Sequence, residues 1–408
     1  MTSIKDPKKY NVIGTRPVRP DGTDKVTGRA LYGADFDMAG LLHGKILRSP
    51  HPHARIKSIN FDEALKIDGV LAVVTSKDLP DNPDGTSSVA YGRGNILAKD
   101  KVLYVGHAVA GVVAIDPHTA EEALELIKVD YEILSPSLSV EEAMDDDSEI
   151  IHENAFMKEF GEMTTINNNI DEHFQHKIGN VSKGFDEADL VVEGKYSTVM
   201  VHQGYIEPHA ATVLWKADGS ITVWSSTQGA FPDRDEMSVI LDVPISKIKV
   251  VPMEIGGGFG GKIPIYQEPV AALLSKKTGK PVKILMSRKE VFESTGPTPG
   301  GYTWIKIGVK NNGKIIAMQA ELAFEAGAFP GSPVGMGSQC VFAAYNCGNQ
   351  LIDGYDVIVN KPKTAAYRAP GSPNAAFATE QVIDEISKKL NIDPIDLRLL
   401  NAVKEGDR

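Results

Sequence analysis

The chain has 408 residues, of which 42% are hydrophobic and 24% charged; these are ordinary globular values, and the length predicts roughly two or three domains. The formal net charge of -11 at pH 7 argues against a nucleic-acid partner, because neutralising phosphates requires clustered Lys and Arg side chains. The same charge argues against binding to an anionic membrane surface.

The N-terminal sequence and the cysteines indicate a cytoplasmic protein. The segment MTSIKDPKKYNVIG lacks the apolar core of a signal peptide, and the longest apolar stretch, at 105–115, is well short of the ~20 residues of a membrane helix. Cys340 and Cys347 are the only cysteines. We therefore expect no disulfide framework, and no iron–sulfur cluster held by this chain, since such clusters normally need about four thiolates.

The first part of the chain predicts a compact α/β domain over residues 1–135. A continuous apolar run at 109–115 is typical of a buried strand. Asp116 and Pro117 follow it as N-cap and first residue of a helix, and residues 128–134 alternate as a strand does.

Two further segments complete the predicted organisation. Residues 136–180 are polar and acidic, and we interpret them as a connector. Residues 181–408 are rich in alternating strands, with one helix that ends at Gly279 and another that starts at Asp393-Pro394. The predicted fold class is α/β of the mixed α+β kind, with mixed sheets in the second domain.

Two predicted strands of the second domain end close to unusual residues. One ends at Gln228 in SSTQ, and the next leads into MEIGGGFGGKIP at 253–264, where five glycines surround Phe259. Ligands collect at the carboxyl ends of strands in α/β sheets, so we expect Gln228 and this glycine loop to share one edge.

The glycine loop fits two phosphate-binding motifs in part. Gly256, Gly261 and Lys262 match the start of G-x-x-x-x-G-K-S/T, but Ile263 stands where a hydroxyl should bind magnesium. The loop also contains G-x-G-x-x-G, but Pro252 interrupts the preceding strand and the expected downstream acid is missing. A turn that only allows close packing is a further alternative. So much bare backbone more often exposes N–H groups to a phosphate, an oxo group or a flat heterocycle.

The loop, WSSTQ and the final segment AYRAPGSPNAAFATEQVIDEISKKLNIDPIDLRLLN together resemble the molybdenum-binding subunit of the xanthine dehydrogenase and aldehyde oxidase family. The stretches DGTDKVTGRALYGADF, LRSPHPHARI and YVGHAVAGVVA resemble the α/β hammerhead domain that opens that subunit. The resemblance implies an N-terminal hammerhead domain followed by the first molybdenum-cofactor-binding domain.

The resemblance also implies a function. Family enzymes hydroxylate an electron-poor carbon of a small-molecule aldehyde or N-heterocycle with oxygen from water, at a molybdenum held by its pterin dithiolene rather than by protein ligands. The pterin can carry a cytosine dinucleotide. Electrons then pass to iron–sulfur clusters and FAD, which the resemblance implies lie on partner subunits, a 2Fe–2S subunit and an FAD subunit. The two cysteines of this chain agree with that division.

The family's site residues can be carried onto matching positions here. Gln228 matches a glutamine whose carboxamide donates to the apical oxo group of molybdenum. Arg368 of YRAPG matches an arginine beside the cofactor, suited to an anionic pterin or substrate. The cofactor loop matches Gly257, Gly258, Phe259, Gly260 and Gly261, with Phe259 and Gly260 nearest the metal; Gln228, Phe259 and Arg368 are the predicted catalytic residues.

Several departures from the family pattern affect substrate and assembly. Ile263 replaces a purine-binding glutamate, Gly335-Met336 stands in the region of a second arginine, and Pro370 replaces an aromatic residue, so a more apolar substrate than a purine is favoured. The family subunit is nearly twice as long, although some members, nicotinate dehydrogenase among them, divide it into two chains. We therefore expect a second molybdopterin-binding chain as partner, unless the sequence is a fragment, and no activity alone. The alternatives are a nucleotide-binding dehydrogenase domain and a non-catalytic half-subunit that serves assembly.

Other polar candidates have plainer explanations. His202, Glu207 and His209 lack the spacing of a metal site, so structural roles are favoured for them. His51 and His53 flank a proline and are interpreted as turn residues.

Overall fold

The structure is a computed structural model that describes residues 11–81 and 87–407, and within these residues the strands form three sheets. The strands are β1 (Leu42–Arg48), β2 (Ala54–Asn60), β3 (Val70–Thr75), β4 (Lys101–Val102), β5 (Ala108–Ala114), β6 (Lys128–Ile133), β7 (Lys158–Glu159), β8 (Glu162–Met163), β9 (Ile170–Ile178), β10 (Leu190–Thr198), β11 (Ala210–Trp215), β12 (Ile221–Ser225), β13 (Ile248–Pro252), β14 (Val282–Leu285), β15 (Gly301–Val309), β16 (Ile315–Gly327) and β17 (Gln350–Ile358). The α-helices are α1 (Gly22–Thr27), α2 (Ser88–Ile96), α3 (Pro117–Leu126), α4 (Val140–Ala143), α5 (Val181–Asp186), α6 (Ala230–Leu241), α7 (Glu268–Thr278), α8 (Arg288–Ser294), α9 (Val334–Cys340), α10 (Ser372–Leu390) and α11 (Pro394–Asn401). Among the helices described, none has the length and apolarity needed to cross a bilayer.

The first sheet joins strands from both halves of the sequence. Its order is β13-β12-β11-β14-β1-β5-β3, with β1 parallel to β14 from the pair Leu42 and Val282 onward. Strands on either side of the predicted connector therefore share one hydrogen-bonded ladder. The domain limits 1–135 and 181–408 stay a prediction from the sequence. The first sheet contains strands from both of these ranges.

The predicted connector, residues 136–180, is not irregular. It contains α4 and supplies β9 to the second sheet, whose order is β10-β15-β16-β17-β9-β7-β8. Strand β9 runs antiparallel to β17 from Ile170 to Ile178. The polar sequence of β9, IDEHFQHKI, has no alternating apolar face from which a strand could be predicted. Pairing with β17 holds it in the sheet.

Each large sheet is covered by helices whose ends agree with the sequence prediction. Helix α7 packs Val270 and Leu274 into the core of the first sheet and ends at Gly279, which has φ 65°. Helix α10 packs against the second sheet. The Asp116 and Asp393 side chains accept hydrogen bonds from the first turns of α3 and α11, so both predicted N-caps are confirmed.

The edge of the first sheet brings Gln228 and the glycine loop together. Strands β12 and β13 are parallel, so the chain leaves both of them on the same side. β13 is the outermost strand, where Pro252 removes no hydrogen bond to a further neighbour. The predicted shared edge is thus present, although β12 ends at Ser225, before Gln228.

Helix α6 starts directly after Gln228 and carries an unusual buried acid, Asp233, in its first turn. Asp233 is 1% exposed, and its Oδ1 atom makes no hydrogen bond to the residues that the structure describes. Burial, followed by the charge of the neighbouring Glu268, raises the pKa of Asp233 to about 8. The surroundings thus keep this carboxyl protonated at neutral pH.

This raised pKa predicts that stability declines with rising pH. An unfolded aspartate titrates near pH 3.9, so between about pH 4 and pH 8 the folded chain holds a proton that the unfolded chain releases. We expect Asp233→Asn, which stays neutral, to flatten the fall in the free energy of unfolding across this range, measured by urea unfolding at a series of pH values. Asp235→Asn, at an exposed position of the same helix, is the control and should keep the wild-type slope. Equal slopes in wild type and Asp233→Asn would contradict the prediction.

Candidate functional site

The glycine loop, residues 256–262, has a backbone that only glycine permits at several positions. Gly257 and Gly260 have φ of 97° and 107°. A Cβ atom at position 258 would lie 2.5 Å from Gln228 Oε1, and one at position 260 would lie 2.4 Å from the Ala366 carbonyl oxygen. The loop therefore has no room for side chains at these positions, because it packs against Gln228 on one side and the Ala366 carbonyl on the other. Phe259, with φ 52°, is a residue other than glycine in the left-handed region. This backbone conformation is strained, and such strain is often found at functional sites.

The Gln228 side chain is fixed by the end of this loop. Its Oε1 atom accepts the N–H groups of Gly260, at 2.8 Å, and Lys262, at 3.2 Å. Its own backbone N–H donates to the Lys262 carbonyl at 2.9 Å. Because two N–H donors require the amide oxygen on the loop side, the NH2 group points away from the loop, at an exposed position.

The loop tip presents unpaired backbone donors. The N–H groups of Gly257, Gly258 and Phe259 donate to no acceptor in the part of the chain that the structure describes. The Phe259 side chain is 48% exposed, so this tip lies at the surface. Successive N–H groups in a turn form a concave site for an oxo or anionic group.

Arg368 is held beside the same tip through its backbone. Its N–H donates to the Phe259 carbonyl at 2.9 Å, and the next residue, Ala369, has φ 67°. The guanidinium is exposed and forms no ion pair with any described residue. Because an arginine side chain remains charged at all ordinary pH values, it offers a cation suited to a pterin phosphate or an anionic substrate.

The structure thus brings the predicted site residues together at one open face, where Gln228, Phe259 and Arg368 are exposed and the glycines at 258, 260 and 261 are buried. Three exposed apolar side chains lie within three residues of them in the sequence, and we call Phe231, Ile263 and Tyr367 the apolar rim. No helix begins directly after the loop, since α7 starts only at Glu268. A phosphate-binding helix N-terminus of the kind used by nucleotide-binding folds is therefore missing at this position.

The histidines near the loop are engaged in structural hydrogen bonds. His202 Nε2 lies 2.8 Å from Thr295 Oγ1, and His209 Nε2 lies 2.6 Å from the Tyr205 hydroxyl. Burial lowers the pKa of His209 well below its ordinary value. His53 is fully buried and contacts the Ser135 carbonyl through Nδ1 at 2.9 Å, so it is a core residue beside its turn. No group of His, Cys, Asp or Glu within residues 11–81 and 87–407 could hold a metal ion.

The sequence does not predict the buried contacts that hold the loop in place. Lys262 ends the glycine motif, but its buried contact with Glu207 was not predicted. Gln203 Nε2 bridges the carbonyls of Gly296 and Ala366, at 3.0 and 2.9 Å, and so holds the segment leading to Arg368. The local signal for them is the clustering of polar residues in HQGYIEPH, for whose His202, Glu207 and His209 the sequence favours structural roles.

The donors at this face fit an oxo-bearing, anionic pterin complex. Such a group needs neutral N–H donors towards its oxygen atoms and a cation towards its phosphate, and the face offers the Gln228 amide, the free loop N–H groups and Arg368. It needs no protein ligand to its metal, since a pterin dithiolene supplies the sulfur atoms.

Comparison with sequence families gives matches over most of the chain. The model of the molybdopterin cofactor-binding domain matches residues 163–402. The model of the aldehyde oxidase and xanthine dehydrogenase a/b hammerhead domain matches residues 27–135.

Individual relatives differ in length. The chain is 32% identical over 402 residues to the nicotinate dehydrogenase large molybdopterin subunit of Eubacterium barkeri, covering 98% of this chain and 91% of that relative. It is 33% identical over 402 residues to the xanthine dehydrogenase molybdenum-binding subunit of Escherichia coli, covering 96% of this chain and 52% of the relative. This chain therefore spans about half the length of the second relative.

A solved structure shares the fold. Reconstituted CO dehydrogenase from Oligotropha carboxidovorans superposes with a TM-score of 0.87 at 30% identity, over 96% of this chain and 50% of that one. The mixed α/β fold with a hammerhead domain before a cofactor domain, expected from the sequence, is confirmed. The chain belongs to the molybdopterin-binding subunits of the xanthine dehydrogenase and aldehyde oxidase family.

Proposed function

We propose that this chain is one half of the molybdenum site of a multi-subunit hydroxylase. The enzyme oxidises a carbon of an N-heterocycle or aldehyde with oxygen from water. The proposal is supported chiefly by the Gln228 amide, whose NH2 group points away from the loop, beside the unpaired N–H groups of residues 257–259, since both are neutral donors. When bound, the molybdenum–pterin group supplies the oxidising centre and the activated oxygen.

The residues of this chain have defined parts in the proposal. The Gln228 NH2 group would donate to an oxygen atom of the bound group, and its fixed orientation would lower the cost of reorganising around developing negative charge. The glycine loop and Phe259 would hold the group. Arg368 binds the anionic end of the pterin, which is molybdopterin itself or its cytosine dinucleotide, or an anionic part of the substrate.

The site is open within the part of the chain that the structure describes. The apolar rim and Phe259 are exposed, whereas a substrate pocket buries most of its ligand and admits little bulk water. We propose that a second molybdopterin-binding chain covers this face. The comparison with the nicotinate dehydrogenase large subunit, which this chain matches over most of its length, supports a site divided between two chains. Iron–sulfur clusters and FAD lie on further cytoplasmic subunits, and this chain is inactive without its partners.

Ile263 and Pro370 favour a weakly polar substrate. Ile263 is 41% exposed and lies directly after the loop lysine, and Pro370 follows Arg368 and Ala369. These side chains offer apolar contact and no hydrogen bond. A flat heteroaromatic ring or an aldehyde with an apolar body fits such surroundings better than a purine with several polar edges.

The metal content of the native complex tests the proposal as a whole. The tagged chain, purified anaerobically from its own host, should carry about one molybdenum and, with its partners, roughly four irons from two 2Fe–2S clusters. An FAD subunit and a second pterin-binding chain should co-purify. A complex that contains those chains but no molybdenum would favour the assembly role instead. A bound nucleotide on a chain free of metal would favour the dehydrogenase alternative.

Substitution of Gln228 tests the role of its amide. We expect Gln228→Ala to lower kcat of the assembled enzyme by about 10²–10³-fold while molybdenum content stays unchanged, because one fixed donor to developing charge is lost. The control is Gln175→Ala, which removes an exposed glutamine bonded to Asp353 in the second sheet and should leave kcat unchanged. Equal kcat in wild type and Gln228→Ala, at equal molybdenum content, would exclude the assigned role.

Substitution of Ile263 tests the substrate preference. Ile263→Glu places a charged acceptor beside the loop, so kcat/KM for an apolar heterocycle should fall by about tenfold or more relative to that for a purine. The matched control is Ile245→Glu, at a similarly exposed isoleucine outside the site. If the ratio of the two kcat/KM values is the same in wild type and Ile263→Glu, residue 263 does not face the substrate.

A further inference from the structure

A buried ion pair lies beneath the glycine loop. Lys262 Nζ donates to Glu207 Oε2 at 2.6 Å, and the two side chains are 0% and 9% exposed. This is the most buried ion pair among the described residues. Burying both charges removes their hydration, so such a pair is seldom a source of net stability.

The pair connects the two ends of the glycine loop. Glu207 Oε2 also accepts the N–H of Gly256, the first loop residue, at 2.6 Å, while Lys262 is the last. A single carboxylate oxygen thus binds both ends at once. The fit is tight, because a Cβ atom at position 256 would lie 2.6 Å from Glu207 Cβ, and one at position 261 would lie 2.9 Å from the Tyr205 ring.

Lys262 transmits this constraint to Gln228. Its backbone N–H donates to Gln228 Oε1 at 3.2 Å, and its carbonyl accepts the Gln228 N–H at 2.9 Å. The ammonium group itself lies 5.0 Å from the centre of the Tyr205 ring. The residue whose side chain is anchored by Glu207 is therefore the same residue that orients the Gln228 amide.

We infer that the Glu207–Lys262 pair is a positioning device for the cofactor site. It holds the two ends of the glycine loop together and keeps the Gln228 Oε1 atom turned inward. The Gln228 NH2 group and the N–H groups of residues 257–259 then stay free to donate to a bound oxo or anionic group. Both partners lie beneath the loop, so they are positioning residues and not catalytic ones. The inference rests on the proposed function for what the face binds.

The chemistry of the pair explains why charged residues are used. Hydrogen bonds between charged partners are shorter and about twice as strong as neutral ones, so one carboxylate can hold an ammonium and a backbone N–H in fixed directions. Glu207→Gln would leave the Lys262 ammonium buried without its counter-ion. Lys262→Met would leave the carboxylate with Gly256 alone.

Hydrogen exchange of the full-length chain tests the positioning role without any cofactor. In Glu207→Gln and Lys262→Met we expect the amides within residues 253–264 that donate to side chains, those of Gly256, Gly260 and Lys262, to exchange about tenfold faster or more, the ratio for loss of one charge-assisted hydrogen bond. The amides of β16 and α10 should exchange at wild-type rates. Glu325→Gln is the matched control, since this buried carboxylate pairs with Lys361 Nζ at 2.8 Å in the second sheet. It should leave residues 253–264 unchanged.

The assembled complex supplies the second readout. At wild-type molybdenum content, Glu207→Gln should alter the Mo(V) electron paramagnetic resonance signal and lower kcat more than it raises KM, because the donor geometry around the centre is changed. Exchange that is unchanged at 253–264, or accelerated equally throughout the chain, would overturn the inference. A wild-type complex without molybdenum would remove the proposed function and leave the exchange result to decide the role of the pair in the loop.

Discussion

The close approach of bare backbone to one glutamine is the interaction on which this site depends. Gly260 and Lys262 donate to Gln228 Oε1 at 2.8 and 3.2 Å, and a Cβ atom at position 258 would occupy the space of that oxygen. Glycine loses more conformational entropy on folding than any other residue. Ordering a loop of this composition therefore costs conformational entropy. The ordered loop presents a set of backbone N–H donors in fixed positions.

The first sheet makes this approach possible. Strands β12 and β13 are parallel neighbours at the sheet edge, so the segments that follow them leave side by side. Beneath them, Glu207 and Lys262 supply the buried anchor, and the Phe259 carbonyl connects the tip to Arg368. Donor, loop and cation thus come from three separate parts of the chain: Gln228 is held through its side-chain oxygen, and Arg368 through its backbone N–H.

The exposure of the site agrees with the larger assembly that we propose. Within this chain, Phe259 and the apolar rim are accessible although the support beneath them is fully packed. The Escherichia coli relative is about twice as long, whereas the large subunit of nicotinate dehydrogenase is close to this chain in length. A buried base with an open face agrees with the proposed division of the site between two polypeptides, because a preorganised half loses less conformational entropy on binding.

The sequence by itself determined the features that depend on neighbours in the chain. Asp116 before Pro117, Gly279 after α7 and Asp393 before Pro394 each act on backbone groups a few residues away, so a short pattern contains the whole interaction. The glycine motif and the strings around Gln228 and Arg368 were also sufficient for the family.

The long-range features depend on the tertiary structure. They are the pairing of β1 with β14 in the first sheet, the strand β9 inside a polar segment, and the Glu207–Lys262 pair, whose members are separated by 55 residues. The sequence does not predict β9 because the strand is stabilised by pairing with β17, a distant segment. It does not predict the ion pair because the sequence cannot distinguish a buried lysine from a solvated one, and only the surrounding packing removes the water.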